Sequence, residues 1–225
     1  MIKAILFDMD NTLVDFMTMK RKCCEAAIDS MIEAGLGMKK EDATKLLFEI
    51  YDRYGIEYQK IFQKFLKAAK GKVDYRIVAH GILAYRRMKE NYIVPYRNAV
   101  PTILELKKKY RIAIISDAPR MEAWLRLAAI NMDGFFETVI TVGDVKKTKA
   151  HAAPFRACLK ALSIRPEEAL MIGDNIDRDI KTAKSLGIKT CYARYGVSYK
   201  KPAEAGKSGA DFEIEDIKEL LNLKI

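Results

Sequence analysis

Acidic residues cluster directly after the first apolar segment of the chain. The segment KAILF at residues 3–7 is followed by Asp8 and Asp10, within the stretch FDMDNTLVD. Clustered carboxylates raise one another's pKa unless a cation lies among them. Mg²⁺ prefers carboxylate and carbonyl oxygens, and it usually keeps waters and a substrate phosphate in its coordination shell. The cluster therefore predicts a magnesium site at the end of a strand.

Polar side chains also follow two later apolar segments. RIAII runs into Ser116 and Asp117, and ALMIG runs into Asp174. In an open parallel sheet, ligands bind beyond the carboxyl ends of the strands, where the strand order reverses. We therefore expect these residues to meet Asp8 and Asp10 at one edge of a sheet. Asp8, Asp174 and a backbone carbonyl near Asp10 would then hold Mg²⁺.

Asp8 and Asp10 can do different chemical work if a turn brings both side chains to one pocket. A carboxylate held next to Mg²⁺ can attack phosphorus and form an aspartyl phosphate. The second carboxylate can protonate the leaving alkoxide and later take a proton from water. Ser116, Thr12 and nearby backbone N–H groups are candidates for binding the phosphoryl oxygens. A lysine would supply the remaining positive charge.

Apolar segments alternating with helix-like stretches predict the fold from about residue 97 onward. Each apolar segment is too continuous for a strand with one solvent-exposed face, so we expect a parallel sheet covered on both sides. The stretch NIDRDIKTAKSLG closes on Gly187, a helix C-terminal signal. The repeated βα units predict a doubly wound, Rossmann-like α/β core. The predicted strands are residues 3–7, 111–116, 138–142, 168–173 and 188–193, with a final short strand after residue 211.

Residues 16–94 interrupt this pattern. They contain no comparable apolar strand, and their apolar spacing fits successive amphipathic helices separated by glycines. We therefore predict a core domain of residues 1–15 and 95–225, with an inserted helical domain of residues 16–94. Such an insertion would close over the site and select the substrate.

Four motifs in order resemble the haloacid dehalogenase (HAD) superfamily of phosphohydrolases. DMDNT at residues 8–12 is similar to its DxDxT motif, and IAIIS at 112–116 to its second motif. Lys149 in KAHAAPF is similar to the third motif, and GDNIDRD at 173–179 to the fourth, GDxxxxD. The helical insertion resembles the C1 cap of subfamily I. The resemblance spans essentially the whole chain and implies a phosphatase with a Rossmann-like core.

The resemblance implies a role for each acid in the first and fourth motifs. Asp8 would be the nucleophile and a metal ligand. Asp10 would be the general acid and base, and would ligate Mg²⁺ through its backbone carbonyl. Asp174 would complete the metal site. The dehalogenase branch lacks an acid at the position of Asp10, so this residue favours phosphate esters as substrates.

The resemblance also implies roles in phosphate binding. Ser116 and the backbone N–H of Asp117 would bind the phosphate, and Lys149 would bridge the phosphate and Asp8. Thr12 would steady the loop of the first motif. Asp179 would be a neighbour of the metal or of the lysine rather than a direct ligand.

The lysine of the third motif and the supporting acid of the fourth motif each have an alternative candidate. The chain reads KAHA where many relatives read KPDP, so Lys146 and Lys147 compete with Lys149 for the lysine role. Asp177 competes with Asp179, because both fall in the first helical turn if Asn175 is the N-terminal cap.

Composition limits the remaining function classes. The chain has 225 residues, half of them hydrophobic, and a net charge of +10, with acidic and basic residues spread throughout. It contains neither an apolar run of membrane-spanning length nor a signal-type N-terminus, so we expect a cytoplasmic protein without membrane association. Four cysteines without paired spacing predict free thiols. Trp124, at helical spacing among Met121 and Leu125, is predicted to pack in the core.

The sequence thus predicts a Mg²⁺-dependent phosphomonoester hydrolase for a small phosphorylated metabolite. A phosphomutase of the same superfamily would use the same motifs, and a 2-haloacid dehalogenase is disfavoured by Asp10. A noncatalytic nucleic-acid-binding protein is the remaining alternative. It would use the basic surface and the tyrosines interleaved with basic residues at 192–201. An ordinary loop after a strand is the favoured interpretation of that segment. The oligomeric state and the substrate stay open.

Overall fold

The computed structural model describes residues 1–196 and 203–225. The chain forms two units, one of residues 1–17 and 93–225 and one of residues 18–92. Tyr199, Lys200 and Lys201 of the segment considered for nucleic-acid binding lie outside the described residues. Across the described ranges, no helix has both the length and the apolar composition needed to cross a membrane.

A six-stranded sheet forms the centre of the first unit. Its strands are β1 (Ala4–Phe7), β2 (Arg111–Ser116), β3 (Thr138–Thr141), β4 (Ala169–Gly173), β5 (Lys189–Ala193) and β6 (Phe212–Ile214). The order is β3-β2-β1-β4-β5-β6, and every neighbouring pair is parallel. The order reverses between β1 and β4, the point where open α/β sheets bind ligands. The predicted doubly wound α/β fold is confirmed, and the five longer strands match their predicted ranges to within one residue.

The helices follow in chain order. They are α1 (Phe16–Glu33), α2 (Lys40–Tyr54), α3 (Ile61–Lys70), α4 (Tyr75–Tyr92), α5 (Ala99–Leu106), α6 (Arg120–Ala129), α7 (Val142–Val145), α8 (Ala153–Ala161) and α9 (Lys181–Ser185). Short 3₁₀ turns lie at Pro166–Glu168 and Ile217–Asn222, and a π-helical turn at Ile176–Ile180 leads into α9. Gly187 follows this helix with φ 81°, as its predicted C-terminal role requires.

The sheet is buried because its strands carry apolar side chains on both faces. All four residues of β1 are completely buried. On one face, Leu6, Ala113 and Met171 pack with Phe155 and Leu159 of α8. Because β1 is buried and paired with both β2 and β4, the position of its carboxyl end is fixed. The residues after Phe7 therefore follow a rigid strand. All four cysteines are buried and free, as predicted.

The helical unit has a core of its own. Leu47 of α2, Phe65 and Leu66 of α3 and Ile77 of α4 lie in one cluster of buried residues. Gly81 of α4 lies against the side chain of Met31 in α1, where a Cβ atom would come within 2.9 Å of Met31 Cγ. The small residue therefore permits this close packing of helices.

The prediction for Trp124 was wrong. It is 40% exposed, and the neighbouring Leu125 is 52% exposed. The buried face of α6 instead carries Ala123, Arg126 and Leu127. Apolar spacing identified the helix, but an arginine occupies the buried face where an apolar residue was expected.

Candidate active site

A tight turn follows β1 at the carboxyl edge of the sheet. The Asp8 N–H donates to the Ile172 carbonyl at 2.8 Å, which continues the pairing with β4. The Met9 carbonyl then accepts the N–H of Val14 at 3.0 Å. Asn11 adopts a left-handed conformation with φ 60°, which asparagine tolerates better than most residues. The chain thus reverses directly after presenting Asp8.

Lys149 lies between two carboxylates. Its ammonium group forms ion pairs with Asp8 and, at 2.8 Å, with Asp179. Lys149 is 2% exposed, whereas Lys146 and Lys147 are exposed. Burial alone would lower the pKa of Lys149, but the charges of Asp179 and Asp8 outweigh it and raise the pKa. Of the three candidate lysines, the structure therefore brings Lys149 to Asp8.

Asp8, Asp174 and Asp179 form a buried acidic cluster. One carboxylate oxygen of each lies within 4.8 Å of the other two. Burial raises the pKa of Asp8, and burial together with the charges of Asp8 and Asp179 raises that of Asp174 well above its usual range. Burial also raises the pKa of Asp179 to about 6. Each carboxyl is thus held in an environment that disfavours its charged form.

The cluster suits a divalent cation. When all three acids are ionised, they and the ammonium of Lys149 sum to two net negative charges in a buried space. All the available donor atoms are oxygens, the ligand type that Mg²⁺ prefers. The donor atoms of this cluster therefore fit a divalent metal. A bound cation of charge two would neutralise it and favour the ionised acids.

Asp179 and Asp177 have different surroundings. Asp179 is completely buried, and its Oδ2 accepts the Asn175 N–H at 3.0 Å. Asp177 forms an ion pair with Lys181 at 2.8 Å, and both side chains are well exposed. The side chain of Asn175 accepts the N–H of Arg178 and caps the π-helical turn. The geometry therefore places Asp179, not Asp177, beside the predicted lysine.

Ser116 ends β2 at this edge of the sheet, and Asp117 follows it. Ser116 is 3% exposed, and its hydroxyl accepts the Ala118 N–H at 3.1 Å. The Asp117 carboxylate accepts the backbone N–H of Lys149 at 2.7 Å and pairs with Arg178 at 2.8 Å. Asp117, which follows β2, therefore links the segment after α7 to the π-helical turn after β4.

Arg178 was not singled out from the sequence. Burial would lower the pKa of its guanidinium, but Asp117 and the other nearby acids raise it. Its position inside the fourth motif was the available signal, although any residue can occupy that position in the GDxxxxD pattern.

Thr12 lies beneath the turn. It is completely buried, and its hydroxyl has no hydrogen-bond partner among the described residues. Its carbonyl accepts the hydroxyl of Tyr195 at 2.8 Å. This position supports the loop-steadying role, while contact of Thr12 with phosphate stays a prediction.

Gly196 also supports the site and was missed by the sequence analysis. A Cβ atom there would overlap the Asp174 side chain and lie 2.6 Å from the Asn11 carbonyl oxygen. The absence of a side chain therefore lets this segment pack against both the first and the fourth motif.

Asp10 pairs with an arginine that the sequence analysis also missed. Arg126 Nη1 donates to Asp10 Oδ2 at 2.6 Å. Arg126 is 1% exposed, and its side chain comes from the buried face of α6. A basic residue between two buried apolar positions was the only signal for it in the sequence.

The strand order, with Asp8, Ser116, Lys149 and Asp174 at the carboxyl edge of the sheet, defines a doubly wound α/β protein with its site at the point where the order reverses. A family model described as haloacid dehalogenase-like hydrolase matches residues 2–187. The chain belongs to this family. The predicted superfamily is therefore confirmed.

Relatives match the chain over almost its full length. A glyceraldehyde 3-phosphate phosphatase of Methanocaldococcus jannaschii is 34% identical, over 99% of this chain and 97% of the relative. A glyceraldehyde 3-phosphate phosphatase of Pyrococcus furiosus is 33% identical, over 99% and 92%. The crystal structure of a HAD phosphatase from Thermococcus onnurineus superposes with a TM-score of 0.74 at 26% identity, over 98% and 97%. The prediction of an enzyme of the HAD phosphatase class is thereby confirmed.

Proposed function

We propose that this protein is a Mg²⁺-dependent phosphomonoester hydrolase whose substrate is glyceraldehyde 3-phosphate or a closely similar small phosphate ester. The observation that carries the proposal is the buried contact of Lys149 with Asp8, beside Asp174. The substrate class is supported by the two relatives of similar length that act as glyceraldehyde 3-phosphate phosphatases.

The carboxylates of Asp8 and Asp174 and the backbone carbonyl of Asp10 would hold Mg²⁺. When bound, the metal would supply positive charge for these acids and for the phosphoryl oxygens. Asp179 is proposed as a supporting residue, because it is hydrogen-bonded to Asn175 and paired with Lys149.

In the first chemical step, Asp8 attacks phosphorus. A bond forms between an Asp8 carboxylate oxygen and phosphorus, and the bond from phosphorus to the ester oxygen breaks. Asp10 donates a proton to the departing alkoxide, so the product leaves as an alcohol. Lys149, which faces Asp8, compensates the negative charge of the phosphoryl group.

In the second step, water attacks the phosphorus of the aspartyl phosphate. Asp10, now a carboxylate, takes a proton from that water, and the bond between phosphorus and the Asp8 oxygen breaks. Inorganic phosphate is released and Asp8 is regenerated. Ser116 and the backbone N–H of Asp117 are proposed to bind the phosphoryl oxygens in both steps.

The helical unit is proposed as a cap domain that selects the substrate. It comprises residues 18–92 in the structure and corresponds to the insertion predicted at residues 16–94. Cap domains of this kind exclude water during group transfer. We propose that this cap domain favours small metabolites as substrates.

The experiment is phosphate release from glyceraldehyde 3-phosphate by purified wild-type, Asp8→Asn and Asp177→Asn proteins with Mg²⁺. Asp177 is a suitable control, since it is an exposed aspartate paired with Lys181. We expect Asp8→Asn to abolish turnover and Asp177→Asn to retain it. Activity of Asp8→Asn at the wild-type level would refute the proposal. Product analysis separates hydrolysis from mutase chemistry, because a mutase would return the phosphoryl group to the substrate and release no phosphate.

A further inference from the structure

The guanidinium of Arg126 lies beside the side chains of Asp10, Glu122 and Phe16, all in the first unit. Its Nη1 lies 2.6 Å from Asp10 Oδ2, and its Nη2 lies 4.0 Å from Glu122 Oε2, one helical turn earlier. Its central carbon lies 4.5 Å from the ring centroid of Phe16. The guanidinium is thus held both by a charged hydrogen bond to Asp10 and by contact with the aromatic ring of Phe16.

Stability alone does not account for this arginine. Burying a charged group is costly, and replacing a buried ion pair with apolar side chains is often neutral or stabilising. Ala123 and Leu127 on the same helix face are completely buried, so the surroundings suit an apolar residue. What the pair of Arg126 and Asp10 does, and an apolar residue at position 126 would not do, is fix the direction of the Asp10 carboxyl group.

We infer that Arg126 is a positioning residue that orients the Asp10 carboxyl group for proton transfer. Asp10 Oδ2 accepts from Arg126, and the other carboxyl oxygen carries the proton that passes to the leaving group. This inference rests on the proposed function. Helix α6 begins four residues after Ser116, at Arg120. Arg126 therefore joins the first-motif turn to the segment that carries the proposed phosphate-binding groups, and holds Asp10 in register with it.

The consequence depends on the leaving group. When an alkyl phosphate reacts, the electron pair of the broken P–O bond stays on an alkoxide oxygen, which needs the proton of Asp10. When p-nitrophenyl phosphate reacts, the delocalised phenolate departs without a proton. A misplaced Asp10 therefore slows attack on alkyl phosphates selectively.

The test compares kcat/KM for glyceraldehyde 3-phosphate and for p-nitrophenyl phosphate, with saturating Mg²⁺. This ratio reports steps up to departure of the leaving group. We expect Arg126→Met to lose about 10²-fold with the alkyl ester and less than about tenfold with the aryl ester. Arg120→Met is the matched control, because Arg120 lies on the same helix and pairs with a different aspartate, Asp144. It should leave both values within about twofold of wild type.

A double-mutant cycle provides the second readout. If Arg126 acts through Asp10, Arg126→Met causes no further loss with the alkyl ester in an Asp10→Asn background. Arg126→Lys keeps the charge without the planar fork, and it should show an intermediate selectivity for the aryl ester. This variant carries the test if Arg126→Met does not fold.

Equal losses with the two esters, or fully additive losses in the double mutant, would overturn the positioning role and leave the proposed function standing. A wild-type protein that hydrolyses neither ester would overturn the proposed function, and the inference with it. The two failures are therefore distinguishable in one experiment.

Discussion

The ammonium nitrogen of Lys149 lies 2.8 Å from a carboxylate oxygen of Asp179, and the same group contacts Asp8. Asp179 in turn accepts the N–H of Asn175, which holds its carboxylate in place. The π-helical turn that follows β4 therefore fixes the lysine that faces the proposed nucleophile. Residues from the first, third and fourth motifs act here as one hydrogen-bonded unit.

Replacing Lys149 should impair turnover much more than replacing a neighbouring lysine. Lys149→Met removes the positive charge beside Asp8, and we expect kcat to fall roughly 10²- to 10³-fold. Lys147→Met is the control, because Lys147 is exposed two residues away. Steady-state phosphate release by the two variants checks this. Equal kcat values for both would rule out a role for the buried lysine.

The acidic cluster predicts that the metal-free protein becomes less stable as the pH rises. The pKa of Asp179 is raised to about 6 from 3.8, and those of Asp8 and Asp174 are raised as well. The folded state therefore retains protons that the unfolded chain has lost. The free energy of unfolding should fall as the pH rises through about 6. Glu168 and Glu213, whose pKa values are lowered to about 2, change stability only at more acidic pH.

Mg²⁺ should reverse this loss of stability. Because the ionised cluster binds a cation, Mg²⁺ should raise the Tm more at about pH 7.5 than at about pH 5. Thermal unfolding with and without Mg²⁺ at the two pH values measures the difference. Asp174→Asn should reduce the Tm shift at the higher pH. A Tm shift that is independent of pH would argue against metal binding by these acids.

Gly196→Ala should weaken metal binding. The new methyl group would overlap the Asp174 side chain and approach the Asn11 carbonyl oxygen to 2.6 Å, so the first and fourth motifs must separate. We expect the Mg²⁺ dissociation constant, measured by calorimetry, to rise about tenfold or more. Gly134→Ala is the control, because no heavy atom lies within 4 Å of a Cβ atom there. Unchanged affinity in Gly196→Ala would mean that the loop adapts without moving Asp174.

The strands, and the site residues that directly follow them, could be predicted from the sequence. Strand ends of a parallel sheet meet at one edge, so Asp8, Ser116 and Asp174 could be brought together from their positions alone. Lys149 and Asp179 were named, but only the structure separates them from Lys147 and Asp177 by burial. Local sequence does not reveal which of two nearby charged residues turns inward.

The supporting residues could not be predicted because their roles depend on long-range packing. Arg126 contacts Asp10 across 116 residues, and Tyr195 contacts Thr12 across 183. Nothing in the local sequence marks Gly196. A side chain is excluded there only because Asp174 and Asn11, distant in sequence, pack against it. For α6, the large apolar residues Met121, Trp124 and Leu125 are exposed, whereas Arg126 is buried, so apolar spacing pointed to the wrong face of the helix.

Trapping of the phosphorylated enzyme tests the central claim most directly. Wild-type protein is mixed with substrate and Mg²⁺ for less than one turnover and quenched in acid, and its peptides are mapped by mass spectrometry. We predict phosphate on Asp8, released by hydroxylamine as expected of an acyl phosphate, and no phosphate on Asp8→Asn protein. Turnover with an unmodified Asp8, or with phosphate on a different residue, would contradict the account.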